Sequence, residues 1–94
     1  MMLVGTLYVQ VYIPGASSLK EKRRIVKSMI TKVQNRFNVS IAELESENVW
    51  QRAAIGIAMV GDSRDHVERQ LQFVMNFLDS EPRWEVIKIV QEWN

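Results

Sequence analysis

The 94-residue chain contains no cysteine. A disulfide framework, a thiolate zinc site, an iron–sulfur cluster and a cysteine nucleophile are thereby excluded. Long apolar runs are missing too, so no stretch is fit to cross a membrane as a helix. The opening Met1-Met2-Leu3-Val4-Gly5 lacks the basic flank and extended apolar core of a secretory signal. These absences point to a soluble, cytoplasmic protein. What remains is 47% hydrophobic and 24% charged residues, an ordinary globular composition that excludes a disordered or collagen-like chain. At 11.0 kDa, residues 1–94 form one domain. A chain this short buries about 60–65% of its unfolded surface, so its core must be compact.

Net charge is only +1, but the charges are unevenly placed. Lys20, Lys22, Arg23, Arg24, Lys27, Lys32 and Arg36 crowd one segment with a single acid, Glu21. That segment carries +6 and the rest of the chain −5. Such a split suits an anionic partner on one side. The plainer reading is a solvated helix face that keeps the protein soluble.

Hydrophobic periodicity orders the chain. Residues 3–13 alternate, with Leu7, Val9, Val11 and Ile13 on one side and Thr6, Tyr8, Gln10 and Tyr12 on the other. Pro14-Gly15 ends this strand. Ser18 then offers an N-cap, and Glu21 three residues later completes a capping box. A helix to about Phe37 carries an apolar stripe of Leu19, Val26, Met29, Ile30, Val33 and Phe37, with Lys20, Arg23, Arg24 and Lys27 opposite. Residues 38–46 read as a second strand, followed by a turn near Glu47-Asn48, and 52–60 as a third, stopped by Gly61-Asp62. Ser63 or Asp62 caps a second helix over 63–79, with Val67, Leu71, Val74, Met75 and Leu78 inward. Pro82 lies just past it, and 83–93 is a last strand. The order βαββαβ is the split βαβ pattern, a ferredoxin-like α+β sandwich. Its sheet is four-stranded and antiparallel, and right-handed crossovers put both helices on one face.

The other face of the sheet is expected to be apolar. If Leu7, Val9, Val11, Ile55, Ile57, Met59, Ile87 and Ile89 face the helices, Tyr8, Tyr12, Ala54, Gly56, Ala58, Val60, Trp84, Val86 and Val90 face away. A patch of this kind on a small chain marks an interaction site. Ala54, Gly56 and Ala58 allow close approach. With Tyr8, Tyr12 and Trp84 they form an expected homodimer interface.

For chemistry, the start of the first helix stands out. Its N–H groups and dipole already favour an anion. Lys20, Lys22, Arg23, Arg24 and Lys27 add cations there, and the preceding Pro14-Gly15-Ala16-Ser17-Ser18 loop is small and polar, so a phosphate can approach. The patch suits phosphate or RNA-backbone contact, plain solvation, or docking on an acidic protein surface. Neither a P-loop nor a GxGxxG occurs. The stacking mode of RNA-recognition modules is rejected, because the third strand has no aromatic to join Tyr8 and Tyr12. His66, the only histidine, has no partner for a metal site and reads as a cap or surface residue. Glu43, Glu45 and Glu47 alternate along the second strand at about 6.6–6.8 Å, too far apart to share one cation. They suit an acidic sheet edge. No cofactor and no catalytic residue emerges.

Three stretches together resemble one family. They are Ser18-Leu19-Lys20-Glu21-Lys22-Arg23-Arg24, then Arg36-Phe37-Asn38-Val39-Ser40-Ile41-Ala42-Glu43, and Trp50-Gln51-Arg52-Ala53. In that order they are similar to the YlxP-like family of small bacterial proteins, across essentially the whole chain. The resemblance implies a ferredoxin-like fold and no known catalytic activity. Family genes tend to lie beside genes for translation initiation and ribosome maturation, which implies a link to ribosomal RNA. The leading expectation is thus a non-enzymatic homodimer that contacts structured RNA or a ribosome-assembly intermediate through the basic helix. The alternative is a dimeric regulatory module that senses a small molecule between Tyr8, Tyr12 and Trp84.

Overall fold

The computed structural model describes residues 1–44 and 49–94. The expected acidic residues Glu45 and Glu47 and the turn near Glu47-Asn48 lie outside the described residues. The elements follow in the order β1 (Leu3–Tyr12), α1 (Leu19–Arg36), β2 (Ser40–Leu44), β3 (Arg52–Gly61), α2 (Arg64–Asp79) and β4 (Glu85–Trp93). The strands form one antiparallel sheet in the order β2-β3-β1-β4, the ferredoxin-like α+β arrangement.

The sheet forms where apolar and polar residues alternate. Leu7, Val9 and Val11 of β1 and Ile55, Ile57 and Met59 of β3 are buried under the helices. Val26, Met29 and Val33 of α1 meet them, as do Val67, Leu71, Val74 and Leu78 of α2. These helix residues recur at spacings of three and four, which puts them on one stripe. α1 lies toward β2, and α2 over β1, β3 and β4. α2 can lie close because Gly5 and Gly61 sit beneath it. A Cβ at Gly61 would meet Val67 Cγ2 at 2.5 Å, and one at Gly5 would meet Leu71 Cδ1 at 2.9 Å.

Serine caps start both helices. Ser18 Oγ accepts from the Glu21 N–H at 3.1 Å, and Ser63 Oγ from the His66 N–H at 3.3 Å. The Ser18 half of the expected capping box forms, while its return half is displaced by one residue. Glu21 accepts from the Ser17 hydroxyl at 2.7 Å and the Ser17 N–H at 3.4 Å.

In β4 the expected alternation holds only in the second half. Val9 pairs with Ile89 and Tyr8 with Val90, as expected, but Val11 pairs with Val86. Ile87 is the extra residue of a β-bulge, and one extra residue reverses which side of a strand faces the core. Val86 therefore packs against the core rather than on the open face. Trp84 does the same, only 5% exposed, and its indole N–H donates to the Leu78 carbonyl at 2.8 Å. That carbonyl belongs to the last turn of α2, beyond the helical ladder, and its other backbone donor is the Glu81 N–H at 3.4 Å. Ile89 keeps the helix side, but at the sheet margin it stays 40% exposed, and Ile87 is exposed as well.

Candidate nucleic-acid interface

α1 sorts its residues by angle. At 100° per residue, Lys20, Arg23, Arg24, Lys27 and Thr31 fall on the side opposite the buried stripe. All five are exposed. Lys20, Arg23, Arg24, Lys27, Ser28, Thr31 and Lys32 line one shallow surface groove along the helix. Among the described residues, no carboxylate comes within ion-pair distance of Lys20, Arg23, Arg24 or Lys27. Glu21 is the acid beside them. Hydrogen bonds from Ser17 hold its carboxyl below the usual range, and the charge of Arg24 adds to this. Four cations thus share one solvent-facing surface. Repulsion among them is relieved by solvent or by an anion.

Lys22 does not belong to that surface. It is only 4% exposed, because two residues on from Lys20 it points back across the helix. Its Nζ donates to the carbonyls of Val49 at 3.0 Å and Arg52 at 3.2 Å. It therefore ties the start of α1 to the entry of β3. The expectation that Lys22 contacts phosphate is corrected on this point: its side chain is buried and its ammonium donates to backbone oxygens.

The open face of the sheet brings together most of the residues expected there. Register places Tyr8 beside Gly56, Gln10 beside Ala54, and Thr6 beside Ala58, with Tyr12 opposite Arg52. Tyr8 and Gln10 are joined by a hydrogen bond from Gln10 Nε2 to the Tyr8 hydroxyl at 2.9 Å. Leu44 of β2 lies over Gly56, where a Cβ would meet its side chain at 3.1 Å. Trp84 is absent from this face, as the bulge and its own hydrogen bond require.

One polar cluster went unseen in the sequence. Glu81, in the α2–β4 connection, is nearly buried. Arg83 grips it through Nε at 2.9 Å and Nη2 at 3.1 Å, and also donates to Ser28 Oγ of α1 at 3.3 Å. Lys32 Nζ stands 3.9 Å from the same carboxylate. The Arg83 hydrogen bond lowers the Glu81 pKa against the opposing effect of burial, and the same bond raises that of Arg83. The cluster borders a cleft between the helices lined by Met29, Asn35, Arg36, Phe77 and Pro82. Arg36 covers the Phe77 ring at 4.5 Å. Periodicity gives no signal for a loop carboxylate, and only the charge alternation Glu81-Pro82-Arg83 hints at it.

His66 is exposed and contributes its backbone N–H to the Ser63 cap. Among the described residues, no group of three His, Asp or Glu is placed to hold a metal ion. Among them, too, no helix is long and apolar enough to cross a membrane.

The family model described as "Protein of unknown function (DUF503)" matches residues 4–91. Over 91 residues the chain is 44% identical to the uncharacterized protein YlxP of Bacillus subtilis (strain 168), a match that covers 97% of this chain and 99% of that one. Among solved structures, the de novo designed protein Foldit4 matches 98% of this chain and 97% of its own with a TM-score of 0.54. At 13% identity that likeness concerns the fold alone. Family match and relative both span nearly the whole chain, and so the chain belongs to the DUF503, or YlxP-like, family.

Proposed function

We propose that the protein is a non-enzymatic, cytoplasmic RNA-binding protein. Its α1 rests on the phosphates of structured RNA or of a ribosome-assembly intermediate. The observation that carries this reading is the outer stripe of α1: Lys20, Arg23, Arg24 and Lys27, exposed together with no carboxylate within ion-pair distance among the described residues. Cations at the start of a helix oppose its dipole by about 0.3–1 kcal/mol each, a cost that fits a surface kept for an anion. A convex helix with four cations reads backbone shape and charge rather than base edges, so binding is weakly sequence-selective and salt-sensitive.

The competing reading, a dimer that encloses a small ligand at the open sheet face, retains Tyr8 and Tyr12 but loses Trp84 to the core. Leu44 also occupies the space above Gly56 that a flat ligand would need. The α1 reading is therefore preferred.

A mobility-shift assay with folded ribosomal RNA fragments tests it. The variant Lys20→Glu/Arg23→Glu/Arg24→Glu is expected to lose binding. Retained binding by that variant, folded by circular dichroism, would contradict the assignment.

A further inference from the structure

Among the described residues β4 is the longer edge of the sheet, nine residues against five in β2. An exposed edge of that length is a template for another strand. Its bulge lies at Ile87, so the ladder from Lys88 to Trp93 is regular. Ile87, Ile89 and Val90 are all exposed along it.

Its hydrogen-bonding phase follows from one pair. Val4 and Asn94 exchange both backbone bonds, Val4 N to Asn94 O at 3.1 Å and Asn94 N to Val4 O at 2.9 Å. Alternation along an antiparallel ladder then turns Glu92, Val90 and Lys88 toward β1. The N–H and C=O groups of Trp93, Gln91 and Ile89 point to the free edge. An added antiparallel strand must match these with outward groups of its own. For a second copy of β4, a two-fold axis must therefore pass through a residue, not between two.

Side-chain charge selects which residue. An axis through Lys88 sets lysine against lysine. One through Ile89 sets Lys88 against Val90 and Glu92 against Val86. One through Gln91 sets Lys88 against Asn94. An axis through Val90 sets Lys88 against Glu92 twice, Val90 against Val90, and joins Ile89 to Gln91 by backbone bonds. Opposite charges directly across a ladder favour it, and like charges oppose it.

We propose that a second copy of this chain adds along β4, antiparallel about Val90, with two Lys88–Glu92 pairs that join the sheets into one of eight strands. The lysine that ordinarily blunts an edge is here matched by the edge's own glutamate. The contact lies on the α2 side of the molecule and leaves the α1 stripe uncovered.

Sedimentation equilibrium of the full chain at high micromolar concentration tests this. Twice the 11.0 kDa chain mass is expected for the native sequence. Lys88→Glu alone and Glu92→Lys alone should each sediment as monomers, since each sets like charges opposite one another. An equimolar mixture of the two variants should recover the doubled mass, because both cross-axis pairs of positions 88 and 92 then join opposite charges. The double variant Lys88→Glu/Glu92→Lys should dimerise on its own. A native chain that stays monomeric overturns the proposal. So does a dimer that both single variants leave intact, since its contact must then lie elsewhere, as on the open sheet face.

Discussion

α1 and α2 occupy equivalent places in the two halves of the fold, yet they face solvent differently. Both begin at a serine cap, and both bury a stripe of aliphatic residues against the same sheet. Both are fastened at one end by a single large side chain. Lys22 reaches from α1 to two carbonyls at the entry of β3. Trp84 reaches from the residue just before β4 to the last turn of α2. The outer surfaces then diverge. α1 presents Lys20, Arg23, Arg24 and Lys27, whereas α2 mixes Arg64 and Arg69 with Asp65, Glu68 and Asp79. Packing asks only for the inner stripe. The cationic surface of α1 is therefore not a requirement of the fold, and this separates the residues that hold the structure from those proposed to bind.

Substitutions at the fastening and outward positions can break that separation. The largest expected loss is at Trp84. Trp84→Ala empties a core site and leaves the Leu78 carbonyl only the 3.4 Å bond from the Glu81 N–H, with an expected cost of about 3–5 kcal/mol in chemical denaturation. Lys22→Met keeps the apolar stem but deprives the carbonyls of Val49 and Arg52 of their donor. A loss of about 2–3 kcal/mol is expected, with RNA binding by the folded fraction unchanged. Equal stability in Lys22→Met would show that Lys22 acts at the surface after all.

Glu81 links the two helices through Arg83 and Lys32, and its folded pKa is lowered. A lowered carboxylate contributes stability above its unfolded pKa of about 4.3 and loses it as pH falls through the lower folded value. Glu81→Gln should cost about 1–2 kcal/mol near neutrality, because Arg83 is partly exposed. The difference between the two proteins should shrink as pH falls below about 4. A difference that is independent of pH would remove the charge from the explanation. The smallest expected effect has the opposite sign. Lys20→Glu in the first turn of α1 should raise stability by about 0.3–1 kcal/mol, because it complements the helix dipole. The same change should weaken RNA binding.

The sequence disclosed the architecture because its apolar periodicities change cleanly between two and three-to-four at each boundary. Ser18 and Ser63 were legible as caps for the same local reason. The outer stripe of α1 was legible because angular position follows from residue number along a helix. Three features were not. The bulge at Ile87 leaves no mark in composition, so Trp84 and Val86 were expected on the wrong side of the sheet. Lys22 could be placed off the stripe by its angle, but its two carbonyl partners come from a distant connection. Glu81 and Arg83 meet across a loop whose path no periodicity encodes.

The most direct measurement is the salt dependence of RNA binding. The logarithm of the association constant, plotted against the logarithm of salt concentration, reports the number of phosphates neutralised. Four α1 cations should give a slope of about −3 to −4, falling toward zero in the Lys20→Glu/Arg23→Glu/Arg24→Glu variant. A flat plot for the native chain, or the same slope in both proteins, would contradict the proposal that α1 binds RNA through its outer face.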